Sequence, residues 1–108
     1  MRTINKKKEF VSTLQEGKSR AYNNFVVRYQ QKGHDDVAFG FSLPRKLGGS
    51  VVRNRARRRM KAAVQKKEAE FPAGRYVFMA RRRILRAGFQ EIEEDLVKFF
   101  VEIEREQG

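Results

Sequence analysis

The sequence predicts an α+β fold, a two-layer α/β sandwich in which helices pack mainly on one side of a small sheet. Three observations predict it. Two stretches, Tyr22 to Gln30 and Val37 to Leu43, alternate side chains with period two. Two others, Val52 to Val64 and Phe89 to Ile103, repeat apolar residues at helical spacing. The order along the chain is helix, two or three strands, helix, strand, helix, and its 108 residues suit a single domain, 1–108, with one core.

Taken in order, a first helix is expected from about Lys6 to Glu16. Asn5 can cap it, Phe10, Val11 and Leu14 form its apolar face, and Gly17 can end it. Tyr22 to Gln30 reads as a strand, with Phe25, Val27 and Tyr29 on one side and Val26 and Arg28 on the other. The polar cluster Lys32 to Asp36 turns the chain into Val37 to Leu43, so the two strands are expected to pair as an antiparallel hairpin. Ser50 can cap a second helix reaching about Lys67, in which Val52, Ala56, Met60, Ala63 and Val64 fall on one stripe that must pack on the sheet. After the break at Phe71-Pro72-Ala73-Gly74, Tyr76 to Ala80 is a short strand. A third helix follows Ala87-Gly88, with Phe89, Ile92, Leu96, Phe99, Phe100 and Ile103 inward and its acids outward.

Composition narrows the function. Twenty-five Lys and Arg face 13 acids, a formal net charge of +12, and such self-repulsion in a small fold is relieved by a polyanionic partner. With no cysteine, disulfides and thiolate metal sites are excluded. No stretch has membrane length and the first ten residues lack a signal-peptide core, so a soluble, cytoplasmic protein without membrane partners is expected. A catalytic or metal constellation is not expected either. His34 lies alone in a polar turn, and Glu91, Glu93, Glu94 and Asp95 read as the solvated face of the third helix.

The charge is segregated. From Val37 to Lys67 there are ten basic residues and no acid, while from Glu91 to Glu106 seven acids stand against two bases. An ordinary exposed helix intersperses acids for pairing, so the acid-free run marks a binding surface. Within it Arg45 and Lys46 form a basic loop, and Arg53, Asn54, Arg55, Arg57, Arg58, Arg59 and Lys61 follow on the second helix. Arginine suits phosphate because its planar guanidinium donates two parallel hydrogen bonds and stays charged. These side chains spread over the arc left free by the apolar stripe, which fits a concave RNA surface; Asn54 can read a base or sugar edge while Arg53 holds phosphate.

A second candidate surface is the sheet face carrying Ala38, Gly40 and Ser42, almost without side chains, beside Val26 and Arg28. Two readings stay open: a shallow trough for single-stranded RNA, or a face covered by the first helix. Phe10 borders it in either case.

Gly40-Phe41-Ser42-Leu43, then Arg45-Lys46-Leu47-Gly48, then Val52-Arg53-Asn54-Arg55-Ala56-Arg57-Arg58 is similar to the signature of bacterial ribonuclease P proteins. The resemblance extends over nearly the whole chain. It implies a mixed sheet whose parallel strands are joined by a left-handed crossover through the Arg-Asn-Arg helix, against the usual right-handed rule. It also implies that chemistry belongs to a large catalytic RNA, which cleaves precursor tRNA with Mg²⁺, and that no side chain of this chain is catalytic. Arg45, Lys46, Arg53, Asn54, Arg55, Arg57, Arg58 and Lys61 would face the catalytic RNA. Phe10, Val26, Arg28, Ala38, Gly40 and Ser42 would form a cleft for the 5′ leader. Leu14 and Arg28 depart from the pattern, standing where the family often carries aromatics, which replaces stacking by ionic contact at Arg28.

Two other classes compete. A ribosomal or ribosome-assembly protein would be equally small, basic and cysteine-free but would lack a leader cleft. A DNA-binding module using the second helix would present one polar recognition face rather than arginines around most of the circumference.

Overall fold

The computed structural model describes residues 1–107. Three helices, α1 (Lys7–Glu16), α2 (Ser50–Lys66) and α3 (Phe89–Gln107), accompany four strands, β1 (Lys18–Ala21), β2 (Phe25–Gln30), β3 (Val37–Ser42) and β4 (Gly74–Ala80). Single 3₁₀ turns at Arg45–Leu47, Glu68–Glu70 and Arg82–Leu85 punctuate the loops. The fold is α+β with a mixed sheet ordered β1-β2-β4-β3. β1 with β2 and β2 with β4 are antiparallel, whereas β3 and β4 run parallel and are connected through α2.

The expected β2–β3 hairpin does not form, because β4 lies between those strands. Tyr76, Val77 and Phe78 are apolar on both sheet faces and each is 0% exposed, so β4 needs cover on both faces and a neighbour on both edges. The polar segment after Gln30 therefore carries the chain across the end of β4 instead of closing a tight turn. The expected strand from Tyr22 also begins later: Tyr22 to Asn24 form a turn in which Tyr22 N–H bonds Phe25 O at 2.8 Å. Two caps differ as well. Lys6 and Gly49 flank α1 and α2 without side-chain capping bonds, Ser50 is already helical, and Asn5 instead accepts from Thr3.

One sheet face holds the core. Phe25, Val27, Tyr29, Phe39, Tyr76 and Phe78 meet Ala56, Met60, Ala63 and Val64 of α2 and Ile92, Leu96, Phe99 and Ile103 of α3. Tyr29 and Tyr76 stack with centroids 6.1 Å apart, and Phe99 meets both edge-on at 5.2 and 5.9 Å. The α2 stripe starts at Ala56: Val52, in the first turn, is 42% exposed. In α3, Asp95 is buried rather than solvated, accepting from the Asn24 backbone N–H at 3.0 Å and Nδ2 at 2.9 Å. It thereby fixes the β1–β2 turn to α3.

α1 lies on the opposite face. An ionic cluster centred on buried Arg75 holds it there: Arg75 of β4 donates from Nε to Glu9 at 2.6 Å and pairs through Nη2 with Asp36 at 2.9 Å, and Arg2 pairs with the same Asp36. The first residues run beside the free edge of β3, where Ile4 N–H bonds Phe39 O at 2.8 Å and Phe39 N–H bonds Arg2 O at 3.0 Å. A segment so placed blocks an edge that would otherwise template pairing.

Candidate nucleic-acid interface

The basic loop is built on a buried anchor. After Pro44 the chain makes the Arg45–Leu47 turn, Leu47 is buried in the core, and Gly48 follows at φ 153°, a conformation that suits glycine. Arg45 and Lys46 are thereby left exposed. Arg53 closes the loop from the helix side, donating from Nε to Gly48 O at 3.0 Å and from Nη1 to Leu43 O at 3.3 Å. Part of its guanidinium is thus committed to holding the loop in shape.

Along α2 the helical repeat brings Asn54, Arg57, Arg58 and Lys61 around Val51, lining one shallow depression. Arg57 donates to Asn54 Oδ1 at 3.4 Å. Lys61 Nζ sits 5.8 Å above the Phe41 ring, a cation–π contact that fixes the ammonium at the sheet edge. Arg55 is exposed on the flank. No carboxylate pairs with residues 45–61 among the described residues; the ion pairs of this region begin at Lys66 with Glu93.

Arg59 differs from its neighbours. Its Nη1 donates to Ala87 O at 2.8 Å and its Nη2 to Ile84 O at 3.3 Å and Leu85 O at 3.5 Å, so it ties α2 to the β4–α3 connection. The expectation that it shares the outward arc is corrected by its place, three residues after buried Ala56 and four before buried Ala63.

On the second surface the strand register sets three rows: Gln30–Arg75–Ala38, Arg28–Val77–Gly40 and Val26–Met79–Ser42. α1 covers the first two. The Phe10 ring occupies the space a side chain at residue 40 would need, since a Cβ there would lie 2.6 Å from Phe10 Cε2. Ala38 is only 1% exposed. The face is therefore covered by α1 over Ala38 and Gly40, and what remains open is the row Val26, Met79 and Ser42, with exposed Ala21 beyond Val26. Arg28 donates from Nη2 to Gly17 O at 3.2 Å, placing a cation at the C-terminal end of α1.

Two features escaped the sequence reading. Met79 joins the open row only because β4 inserts between β2 and β3, a non-local fact. Arg82, Arg83 and Arg86 also lie exposed in the β4–α3 connection. Their signal was present, because Phe71 to Gln90 contains five arginines and no acid.

The fold and the surface together define a class: a small α+β sandwich whose parallel strands are joined through an arginine-rich helix. Comparison with known proteins makes it specific. A family model described as Ribonuclease P matches residues 1–104. The ribonuclease P protein component of Nitratiruptor sp. is 33% identical over 105 residues, covering 97% of this chain and 94% of that protein. That of Bacillus cereus strain B4264 is 34% identical, covering 90% and 86%. Among solved structures, the Staphylococcus aureus RNase P protein matches with TM-score 0.80 at 25% identity over 95% of this chain and 94% of that one. The Thermotoga maritima RNase P protein matches in fold, with TM-score 0.80 at 23% identity over 93% and 96%. The chain belongs to the ribonuclease P protein family.

No helix among the described residues is long and apolar enough to cross a membrane.

Proposed function

We propose that this chain is the protein subunit of a bacterial ribonuclease P, acting in the cytoplasm, where it assists a catalytic RNA in endonucleolytic removal of the 5′ leader from precursor tRNA. The observation that carries the reading is the exposed basic face of α2 and its loop, which has no acid partner among the described residues. A face of Arg45, Lys46, Arg55, Arg57, Arg58 and Lys61 neutralises phosphates and releases their counterions on binding, with Asn54 among them to hydrogen-bond a base or sugar edge. Arg53 contributes chiefly by holding the loop in shape and offers its remaining donors to the same RNA.

The second surface takes the single-stranded leader. Backbone phosphates meet Arg28, whose guanidinium is partly used by Gly17 O, and bases lie over the row Val26, Met79 and Ser42, bordered by Phe10. Ala38 and Gly40 act underneath, by letting α1 settle close to the sheet. The protein then does no bond chemistry. By bringing positive charge between two polyanions it lowers the Mg²⁺ concentration that the RNA needs to approach its substrate. Among the described residues no three His, Asp or Glu side chains converge on a metal position.

The test is cleavage of a 5′-extended precursor tRNA by a bacterial ribonuclease P RNA at low Mg²⁺, with and without the protein. Cleavage at the mature 5′ end only when protein is added supports the subunit role. Tight RNA binding without stimulation would replace it with a ribosomal or assembly role.

A further inference from the structure

The β4–α3 connection holds a second basic surface. Arg82, Arg83, Leu85, Arg86, Ala87 and Glu91 line a cleft of about 610 Å³. The three arginines are exposed, and none has a side-chain hydrogen bond or ion pair among the described residues. Their idleness contrasts with the arginines that tie elements of the fold together. Arg2, Arg20 and Arg75 pair with carboxylates, while Arg28, Arg53, Arg59 and Arg81 bind backbone carbonyls. Three unpaired guanidinium groups around a concavity repel one another, a cost that an anion removes.

The surroundings also favour an anion. Arg59 donates to the carbonyls of Ile84, Leu85 and Ala87, so the oxygens that would repel phosphate are already engaged. α3, nineteen residues long, begins at the wall formed by Ala87 and Glu91, and a helix start favours negative charge. Leu85 and Ala87 give the cleft an apolar floor for a sugar or base face. Glu91 is the single acid of the lining and leaves the arginines in excess. The cleft also adjoins the basic loop, since a Cβ on Gly48 would lie 3.9 Å from Leu85 Cδ1.

We propose that this cleft is a second phosphodiester-binding site, in which Arg82, Arg83 and Arg86 grip RNA backbone phosphates beyond the α2 face. The proposal rests on the RNA-binding reading above and extends its footprint round the loop. The phosphates belong either to the catalytic RNA or to precursor tRNA.

The test compares the unaltered chain with the triple variant Arg82→Ala, Arg83→Ala, Arg86→Ala. A control variant, Lys32→Ala, Lys98→Ala, Arg105→Ala, removes the same charge from exposed sites elsewhere. Dissociation constants are measured against salt concentration for bacterial ribonuclease P RNA, and for precursor tRNA binding to the assembled holoenzyme. The log-log slope should fall by about 2 units for one of these RNAs in the triple variant and little in the control. Which RNA shows the loss identifies whose phosphates are bound. Because the chain has no cysteine, Arg83→Cys carries a photo-crosslinker at one site, and its crosslink should fall on that same RNA. An unchanged slope for both RNAs, or an equal fall in the control, overturns the proposal. If that happens while the unaltered protein still stimulates cleavage, the cleft site alone fails; if the unaltered protein binds neither RNA, both readings fall.

Discussion

Arg58 and Arg59 are adjacent, identical in chemistry and assigned opposite work, so replacing each by Ala separates fold from interface. Arg59 makes one short bond, 2.8 Å to Ala87 O, and two at the long limit, 3.3 and 3.5 Å. A hydrogen bond from a charged donor contributes about 1.5–3 kcal/mol, and the longer two add little beyond keeping carbonyls satisfied. Its Nε is buried without a partner, which subtracts from the gain. The expected loss for Arg59→Ala is therefore about 2 kcal/mol, or a fall in Tm on the order of 10 °C for a chain of this size. Arg58 is exposed and has no side-chain bond among the described residues. Arg58→Ala should change stability by less than about 0.5 kcal/mol.

Urea unfolding followed by circular dichroism measures both variants, with unchanged m-values as the check that the unfolding reaction is the same. RNA titrations against salt complete the cross. Arg58→Ala should flatten the log-log slope by about 0.7–0.9, one phosphate contact, whereas folded Arg59→Ala should keep the slope of the unaltered chain. Equal destabilisation by both, or a slope change only in Arg59→Ala, would refute the assignment of these side chains.

Three further perturbations test the supports of the site. Gly40→Ala should cost about 1 kcal/mol, because Phe10 Cε2 lies 2.6 Å from the new Cβ and the half-buried ring must swing by about 1 Å. In a Phe10→Ala background that penalty should vanish, and additivity in the cycle would disprove the contact. Asp95→Ala should cost about 2–3 kcal/mol by leaving Asn24 N–H and Nδ2 unpaired at buried positions, read by thermal unfolding. At the β1 edge, the Tyr29 hydroxyl, Lys18 and Arg20 hold the Glu106 carboxyl down at about 2. A depressed carboxylate stabilises above its unfolded value, so about 1 kcal/mol, discounted for partial exposure, should be lost as pH falls from 4.5 toward 2. Glu106→Gln should remove that part of the acid sensitivity in pH-dependent denaturation.

How much was legible in the sequence follows from how local each signal is. The α2 and α3 stripes are read from spacing alone, and Ala56, Met60, Leu96 and Phe99 lie where periodicity puts them. The basic run of α2 and its loop is equally local. Strand order is not: Lys18 to Ala21 has no apolar alternation and forms β1 only because the edge of β2 is available, and β4 finds its place through its neighbours on both sides. Asp95 stands among solvated acids in the sequence, but three residues after Ile92 and four before Phe99 is a position on the buried face. Arg59 bears the same relation to Ala56 and Ala63. In both cases position along the helix, not charge, decides where the side chain goes.

The two readings of the small-residue face resolve through volume. Ala38 and Gly40 are small because Phe10 and α1 occupy their space, so the trough that side-chain size suggests is filled for two of its three rows. That filling also shapes what is left. Arg75, inside the central strand, anchors Glu9 from below, and Arg28 takes the carbonyl at the far end of α1, so both ends of the helix are held by arginines of the sheet it covers. A helix pinned at both ends gives the open row Val26, Met79 and Ser42 a fixed wall. The same logic sorts the arginines. Arginines that meet carboxylates or carbonyls set the distances between elements, and those without partners collect, apart from Arg105 of α3, on α2, its loop and the β4–α3 connection. The unpaired arginines are thereby gathered largely on continuous ground, which is the arrangement that a polyanion bound along its backbone requires.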